Sequence, residues 1–404
     1  MQRFRSAALC FSSSAAAGSL FFLALLACGT EPRGACRPDP APGELGSVCG
    51  FHNPEDVEWV PEAGLLLVTE LDFPPGRKAG GIAALALASQ AARPTAPARL
   101  WPSAVASAKA DGAAKDGAAV LGDPTCSEPP SADFAPHGLS ARLLSAQRAA
   151  LVAVVSHAPR EAVELFELIG SGKSAALHWQ GCVPLPEDTA GNDVDIARDG
   201  SLIVSNYMPS VRGLNGLYYS LLGAFLRKDT GNLLHWDSKH GWQAIPGSRG
   251  PNPNGVLLAS DETQLFSTHT GSGAVIAQPW NATEGTSTLG EVHSTALGGY
   301  PDNLAFSSSG TLLAPTHTSG LAFLRCAFGR RPCRSPWSLF EIDPRTLETR
   351  PLLHHGGELV GAISSAVEAH GRLYLGAVFD DRIGVWHPAA DTAVKPAATG
   401  VPSP

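Results

Sequence analysis

The sequence has little charge and no basic cluster. Only 16% of its 404 residues are Asp, Glu, Lys or Arg, and the formal net charge is −8. Phosphate recognition needs a stripe of Lys and Arg, so nucleic acid is excluded as a partner. The chain also lacks an apolar run long enough to remain in a bilayer. The stretch that ends in Leu20-Phe21-Phe22-Leu23-Ala24-Leu25-Leu26 is interrupted by Ser12, Ser13 and Ser14, and it falls short of the roughly 20 residues a spanning helix needs. None of the cysteine spacings resembles a zinc site, and no composition shift marks a second domain.

What stands at the N-terminus is an export signal. Arg3 and Arg5 precede the apolar stretch, and Leu25-Leu26-Ala27-Cys28 resembles a bacterial lipobox. This predicts a signal peptide over 1–27, lipidation of Cys28, and a Pro- and Gly-rich tether over 28–46. A folded domain over 47–388 and a flexible tail over 389–404 follow. The protein is then exported and membrane-anchored, at the periplasmic face or the cell surface. The competing reading is an ordinary signal peptide with an incidental cysteine. Six cysteines remain beyond Cys10 and Cys28. An even number in an exported chain predicts disulfides, whose pairing sequence leaves open; Cys326 and Cys333 flank a short polar loop and are placed for a local bridge.

The chain repeats a hairpin. Glu55-Asp56-Val57-Glu58-Trp59-Val60 turns at Gly64 into Leu65-Leu66-Leu67-Val68, and Asn192-Asp193-Val194-Asp195-Ile196 turns at Asp199-Gly200 into Leu202-Ile203-Val204. Similar units open at His137-Gly138, Asn254-Gly255, Asp302-Asn303 and, most weakly, Ser365-Ala366. Their Gly-containing turns suit hairpins, and spacings of about 50 to 80 residues leave room for two more strands in each unit. Six four-stranded units around an axis make an all-β, six-bladed β-propeller, with a β-sandwich as runner-up. Gly170-Ser171-Gly172-Lys173-Ser174 is a hairpin turn, since Glu167 replaces the first glycine of a phosphate loop. The Ala-rich stretch from about Pro102 to Asp133 reads as a surface insertion.

In a propeller the first strand of each blade lines the channel, so its opening residues converge on one axis. Glu55, His137, Asn192, Asn254, Asp302 and Asn303 occupy that position. A lone Asn or Asp there is usually a turn residue. Carboxylates crowded into one channel, however, would repel and be costly to desolvate without a cation. Side-chain oxygens without cysteine favour calcium, with magnesium or manganese behind it.

Taken in series, Pro54-Glu55-Asp56-Val57-Glu58, Pro136-His137-Gly138-Leu139-Ser140, Val155-Ser156-His157, Val163-Glu164-Leu165-Phe166, Asn192-Asp193, Asn254-Gly255 and Asp302-Asn303 resemble the paraoxonases, calcium-dependent lactonases and arylesterases. The resemblance covers nearly the whole propeller. It implies two calcium ions: a catalytic one on Glu55, Asn192, Asn254, Asp302 and Asn303, and a structural one on Asp56, Asp193 and the Leu139 carbonyl. It further implies a catalytic His137–His157 dyad, in which His137 takes a proton from water, and a pocket that includes His317. Tyr207 and Met208 stand where the family has acidic and histidine side chains, which leaves the lactone or ester substrate open. Leu214, Leu217, Tyr218, Leu221, Leu222 and Phe225 lie at helical spacing and predict a helix over 214–226; by resemblance it is a lid that also touches lipid. No cysteine follows Cys333, so the family's disulfide between first and last blades is absent and closure falls to strand pairing or another bridge. Two other readings stand beside the hydrolase: a sugar lactonase of gluconolactonase type, and a calcium-stabilised scaffold without catalysis.

Overall fold

The computed structural model describes residues 34–72, 80–87, 96–103, 121–143, 150–209, 213–281, 286–287, 291–329 and 331–389. The signal peptide, Cys28, residues 104–120 of the insertion and residues 390–404 lie outside the described residues.

Within them the chain forms six antiparallel sheets, five built from consecutive segments and the sixth completed by the N-terminal strand. Blade 1 is Pro54–Val60, Leu65–Glu70, Gly81–Ala86 and Ala98–Trp101, and blade 2 is Pro136–Leu143, Ala150–Ser156, Ala162–Ile169 and Ala176–Pro184. Blade 3 is Ala190–Ile196, Leu202–Met208, Asn232–Asp237 and Gly241–Ala244. Blade 4 opens with Pro253–Leu258, Gln264–His269 and Ala274–Asn281, and the last of these pairs both Thr286–Ser287 and His293–Ala296. In blade 5 the first strand is split into Tyr300–Pro301 and Ala305–Phe306, both pairing Leu312–His317, before Trp337–Ile342 and Thr349–His355. Blade 6 is Ile363–Ala369, Arg372–Ala377 and Arg382–Trp386, with Leu45–Cys49 as its outermost strand. First strands of neighbouring blades lie side by side around the axis. The expected six-bladed propeller is therefore the architecture.

The packing follows from strands whose two faces are both covered. Leu65 and Leu67 belong to the core between blades 1 and 2, whereas Leu66 and Val68 belong to the core between blades 6 and 1. Successive residues on a strand point to opposite faces, so a blade flanked on both sides reads as a continuous apolar run rather than an alternation. The other blade junctions have cores of the same kind. Each fully buried Leu or Val side chain contributes roughly 1.5–3 kcal/mol.

Closure rests on strand pairing. Leu45 through Cys49 pair residue by residue with Trp386 through Arg382. Cys36 is bridged to Cys49, the Ser47 N–H donates to the Arg37 carbonyl, and Arg372 contacts Asp39 at 2.6 Å. Through these bonds the segment from Cys36 onward is joined to the propeller, whose pairing begins at Leu45. The other bridges are Cys126–Cys182 and the expected local pair Cys326–Cys333. The end of the insertion is pinned to blade 2 by Cys126 and by the Asp123 N–H on the Cys182 carbonyl. Residues Gly172–Ser174 form a short 3-10 turn between two strands of blade 2, as a hairpin turn should.

Two α-helices occur among the described residues: α1, Gly213–Leu226, matching the expected helix, and α2, Gly320–Ala327, which periodicity did not announce. Both follow the ends of second strands, at Met208 and His317. Because hairpin arms are antiparallel, that is also the end of the channel where the first strands begin.

Candidate functional site

In every blade the pairing of first and second strands slips by one residue where the first strand opens. Pro54 faces Glu70 but Val57 faces Val68; Pro136 faces Ser156 but Leu139 faces Val154; Gly191 faces Asn206 but Val194 faces Val204. Blades 4, 5 and 6 slip likewise at 253–256, 301–305 and 363–365. Such a bulge releases consecutive side chains from strict alternation and re-aims them. The N–H groups that leave the ladder are satisfied by hydroxyls of the second strand: Asp56 by Thr69, Asp193 by Ser205 and Gly255 by Thr268, at 3.2, 2.9 and 2.7 Å. In blades 2 and 4 the second residue of the pair is glycine because the neighbouring strand is too close for anything larger. A Cβ on Gly138 would lie 2.6 Å from the Asn192 carbonyl oxygen, and one on Gly255 would lie 2.7 Å from the Asn303 Cα.

The bulges bring Glu55, Asn192, Asn254, Asp302 and Asn303 together at one end of the channel, all buried. Glu55 Oε1 accepts from Asn303 Nδ2 at 3.3 Å. The oxygens Glu55 Oε2, Asn192 Oδ1, Asn254 Oδ1 and Asn303 Oδ1 are buried with no hydrogen-bond partner. Buried polar atoms are ordinarily satisfied, so four orphaned acceptors in one ring make a candidate cation cradle. Burial pushes the Glu55 carboxyl well above its ordinary value, and Asp56, Asp302 and Asp193 push it the same way. A hard cation relieves that repulsion and satisfies the orphans together, and an all-oxygen donor set of two carboxylates and three amides fits calcium. Among the described residues no group of three or more His, Cys, Asp or Glu is arranged to hold a metal; this cradle relies on amides instead. Blade 6 supplies no ligand, and its Ser365 Oγ donates to the Glu55 backbone carbonyl at 3.0 Å.

Asp56 and Asp193 point the other way, into a deeper cavity of about 240 Å³ lined also by Glu58, Leu139 and Asp195. Their oxygens are already engaged: Asp56 accepts the N–H groups of Val57 and Leu139, and Asp193 those of Val194 and Val256. Burial raises Asp56 to about 7, and burial together with Asp56 raises Asp193 well above its ordinary value. The Leu139 N–H donates to Asp56 at 2.8 Å, a hydrogen bond that stitches blade 1 to blade 2, and each carboxylate oxygen keeps a further lone pair for an ion.

His137 and His157 are in contact, Nδ1 to Nε2, at 2.8 Å. The other nitrogen of His137, Nε2, faces the cradle, 3.6 Å from Glu55 Oε1 and 3.5 Å from Asn192 Nδ2. Burial, followed by the neighbouring His157, holds His137 well below its ordinary value. On the far side His157 Nδ1 lies 2.8 Å from Glu161 Oε2. Sequence reading missed Glu161; its one signal was a carboxylate four residues beyond His157 across a turn containing Pro159.

His317, expected to line the pocket, is buried like the cradle residues, and its Nε2 lies 2.7 Å from Asp302 Oδ2 with the ring 4.5 Å from that of Phe323. It therefore braces a cradle carboxylate. Tyr207 is close enough to Asp302 for the carboxylate to reinforce burial in raising its hydroxyl. Met208 is buried, with its sulfur accepting from Ser220 Oγ of α1 at 3.5 Å.

No protein-family profile matches the chain, and no curated protein sequence matches it. Solved structures similar to it include a luciferin-regenerating enzyme (12% identity, 85% of this chain and 94% of that one, TM-score 0.49). A gluconolactonase from Xanthomonas campestris is similar at 16% identity, over 89% of this chain and 99% of that one, with a TM-score of 0.49. The calcium-binding protein regucalcin from Agrobacterium tumefaciens is similar at 12% identity, over 85% and 96%, with a TM-score of 0.45. Likeness at this level says nothing of activity. The paraoxonase resemblance rests on the sequence segments.

Proposed function

We propose that the chain is a calcium-dependent hydrolase of lactones and aryl esters, working at the cradle of Glu55, Asn192, Asn254, Asp302 and Asn303. The observation that carries the reading is the ring of orphaned buried oxygens beside a histidine whose free nitrogen faces it. Neither a turn-forming role nor a scaffold needs both.

Calcium, when bound, polarises the substrate carbonyl and stabilises the negative charge that develops on its oxygen. The protein's own share is proton handling. His137 is held neutral by burial, so at neutral pH its Nε2 lone pair is available as a general base. Water attacks the carbonyl carbon while its proton passes to His137 Nε2. The C–O bond to the leaving oxygen then breaks, and the same proton returns to that oxygen. His157 steadies the ring and shares the transient charge through the Nδ1 to Nε2 contact. Tyr207, beside Asp302, forms one wall. Asp56, Asp193 and the Leu139 carbonyl are proposed to hold a second, structural calcium in the deeper cavity that all three residues line.

Three disulfides among the described residues suit an exported protein, and lipidation at Cys28 is proposed to anchor it to a membrane surface. The test is hydrolysis of an aliphatic lactone and of phenyl acetate by the soluble form, with and without calcium chelation. Turnover of either that disappears on chelation and returns with calcium is expected; no calcium-dependent turnover of either ends this reading.

A further inference from the structure

We infer that Glu161 is a positioning residue that fixes the tautomers of both histidines, so that the bare nitrogen of His137 is the one facing the cradle. This deepens the proposed hydrolase and rests on that reading.

The inference follows from counting protons along a chain of contacts. Glu161 Oε2, His157 and His137 are linked by two contacts of 2.8 Å, first to His157 Nδ1 and then from His157 Nε2 to His137 Nδ1. A carboxylate only accepts. His157 therefore carries its proton on Nδ1 and presents a lone pair at Nε2. That lone pair accepts the Nδ1–H of His137, which leaves His137 Nε2 bare. A separate contact agrees: the group of Asn192 that meets His137 Nε2, at 3.5 Å, is its amide nitrogen, a donor. The same orientation sends Asn192 Oδ1 elsewhere, where it stands among the orphaned cradle oxygens.

Without Glu161 the order reverses. A free imidazole favours the proton on Nε2, and His157 in that form would turn an N–H toward His137 Nδ1. His137 would then hold its own proton on Nε2, the nitrogen that must receive one. The tautomer of a histidine is set by the bond its other nitrogen makes, and here the carboxylate sets two in succession.

The scaffold fixes the parts independently of any ligand. The Glu161 carbonyl accepts the Leu185 N–H at 3.0 Å, and the His157 N–H donates to the Ala135 carbonyl at 3.0 Å. Glu161 also lines a cavity of about 300 Å³ with Leu185, Thr189 and Pro209, and none of the cradle residues lines that cavity.

The experiment uses the full exported chain, labelled with ¹⁵N-histidine and loaded with calcium, and reads the ring tautomers of His137 and His157 by long-range ¹H–¹⁵N correlation. The wild type is expected to show Nδ1–H on both rings. Glu161→Leu is expected to move protons to Nε2 and to lower kcat on phenyl acetate by about 100-fold or more, the scale of general-base catalysis, with KM and calcium affinity near wild type. Glu161→Asp is expected to restore the Nδ1–H forms and part of kcat. Unchanged tautomers in Glu161→Leu overturn the inference whatever the activity. Nδ1–H rings in a wild-type protein that hydrolyses neither substrate would leave the positioning role standing and remove the hydrolase reading instead.

Discussion

His317 Nε2 lies 2.7 Å from Asp302 Oδ2, and both side chains are buried. A ligating carboxylate keeps its orientation through such outer bonds, and their loss typically lowers metal affinity about 10- to 100-fold. His317→Leu should therefore weaken calcium binding on that scale, measured by competition with a fluorescent chelator, while KM for phenyl acetate stays near wild type at saturating calcium. A raised KM with unchanged calcium affinity would return His317 to the pocket wall.

Gly255 has no room for a side chain, since its Cβ would stand 2.7 Å from Asn303 Cα and 2.8 Å from the Asp302 carbonyl oxygen. Gly255→Ala must push blade 5's first strand outward, and Asp302 and Asn303 move with it. Calcium affinity and melting temperature should fall together, whereas Gly371→Ala, a turn position with positive φ but open space around it, should leave calcium affinity intact. Equal calcium affinity in both variants would show that the close approach does not position the ligands.

The hairpins were legible because each turn and each apolar run is local, and the opening pairs repeat at the same place in the unit. Glu55, Asn192, Asn254, Asp302 and Asn303 could be picked out for that reason. What escaped depends on contacts between segments distant in sequence. That Leu45–Cys49 completes blade 6 is decided by pairing with Arg382–Trp386, more than 300 residues away, and nothing local in 34–49 announces it. His317 was legible as a residue at a strand end, but its contacts with Asp302 and Phe323 depend on packing that no local pattern announces. Glu161 carries no periodic signal because it lies just outside the strand Ala162–Ile169.

His137 and Asp302 should respond differently to replacement. Asp302→Ala removes a cradle carboxylate and is expected to abolish both calcium binding and hydrolysis. His137→Gln leaves the oxygens in place, so calcium titration should be near wild type while kcat falls by roughly 10²- to 10⁴-fold. Full activity in both variants would show that the site is misassigned.

Leu66 is fully buried in the core between blades 6 and 1, facing the blade that the N-terminal strand completes. Leu66→Ala should cost about 2–5 kcal/mol, the range for such a truncation with its residual cavity. Urea unfolding of the calcium-loaded protein measures it. A loss well under about 1 kcal/mol would mean that this junction repacks freely and that closure does not depend on it.

The buried carboxyls give the metal-free protein a pH dependence of definite sign. Asp56 titrates at about 7 in the fold, whereas an unfolded aspartate titrates near about 4. Below about pH 4 the group is protonated in both states and its contribution to stability is fully present. As pH rises from there, the unfolded chain ionises first, so unfolding releases a proton and stability falls until the folded carboxyl has also ionised, above about pH 7. Glu55 and Asp193 are raised by the same burial and act in the same direction. Chelated protein should accordingly melt at a lower temperature at pH 8 than at pH 5. Calcium binds the ionised ligands and strengthens as they lose protons, so the gap between calcium-loaded and chelated melting curves should widen with pH. A chelated protein that grows more stable from pH 5 to pH 8 would show that these carboxyls are not strained by burial, and the argument for a cation among them would lose its electrostatic half.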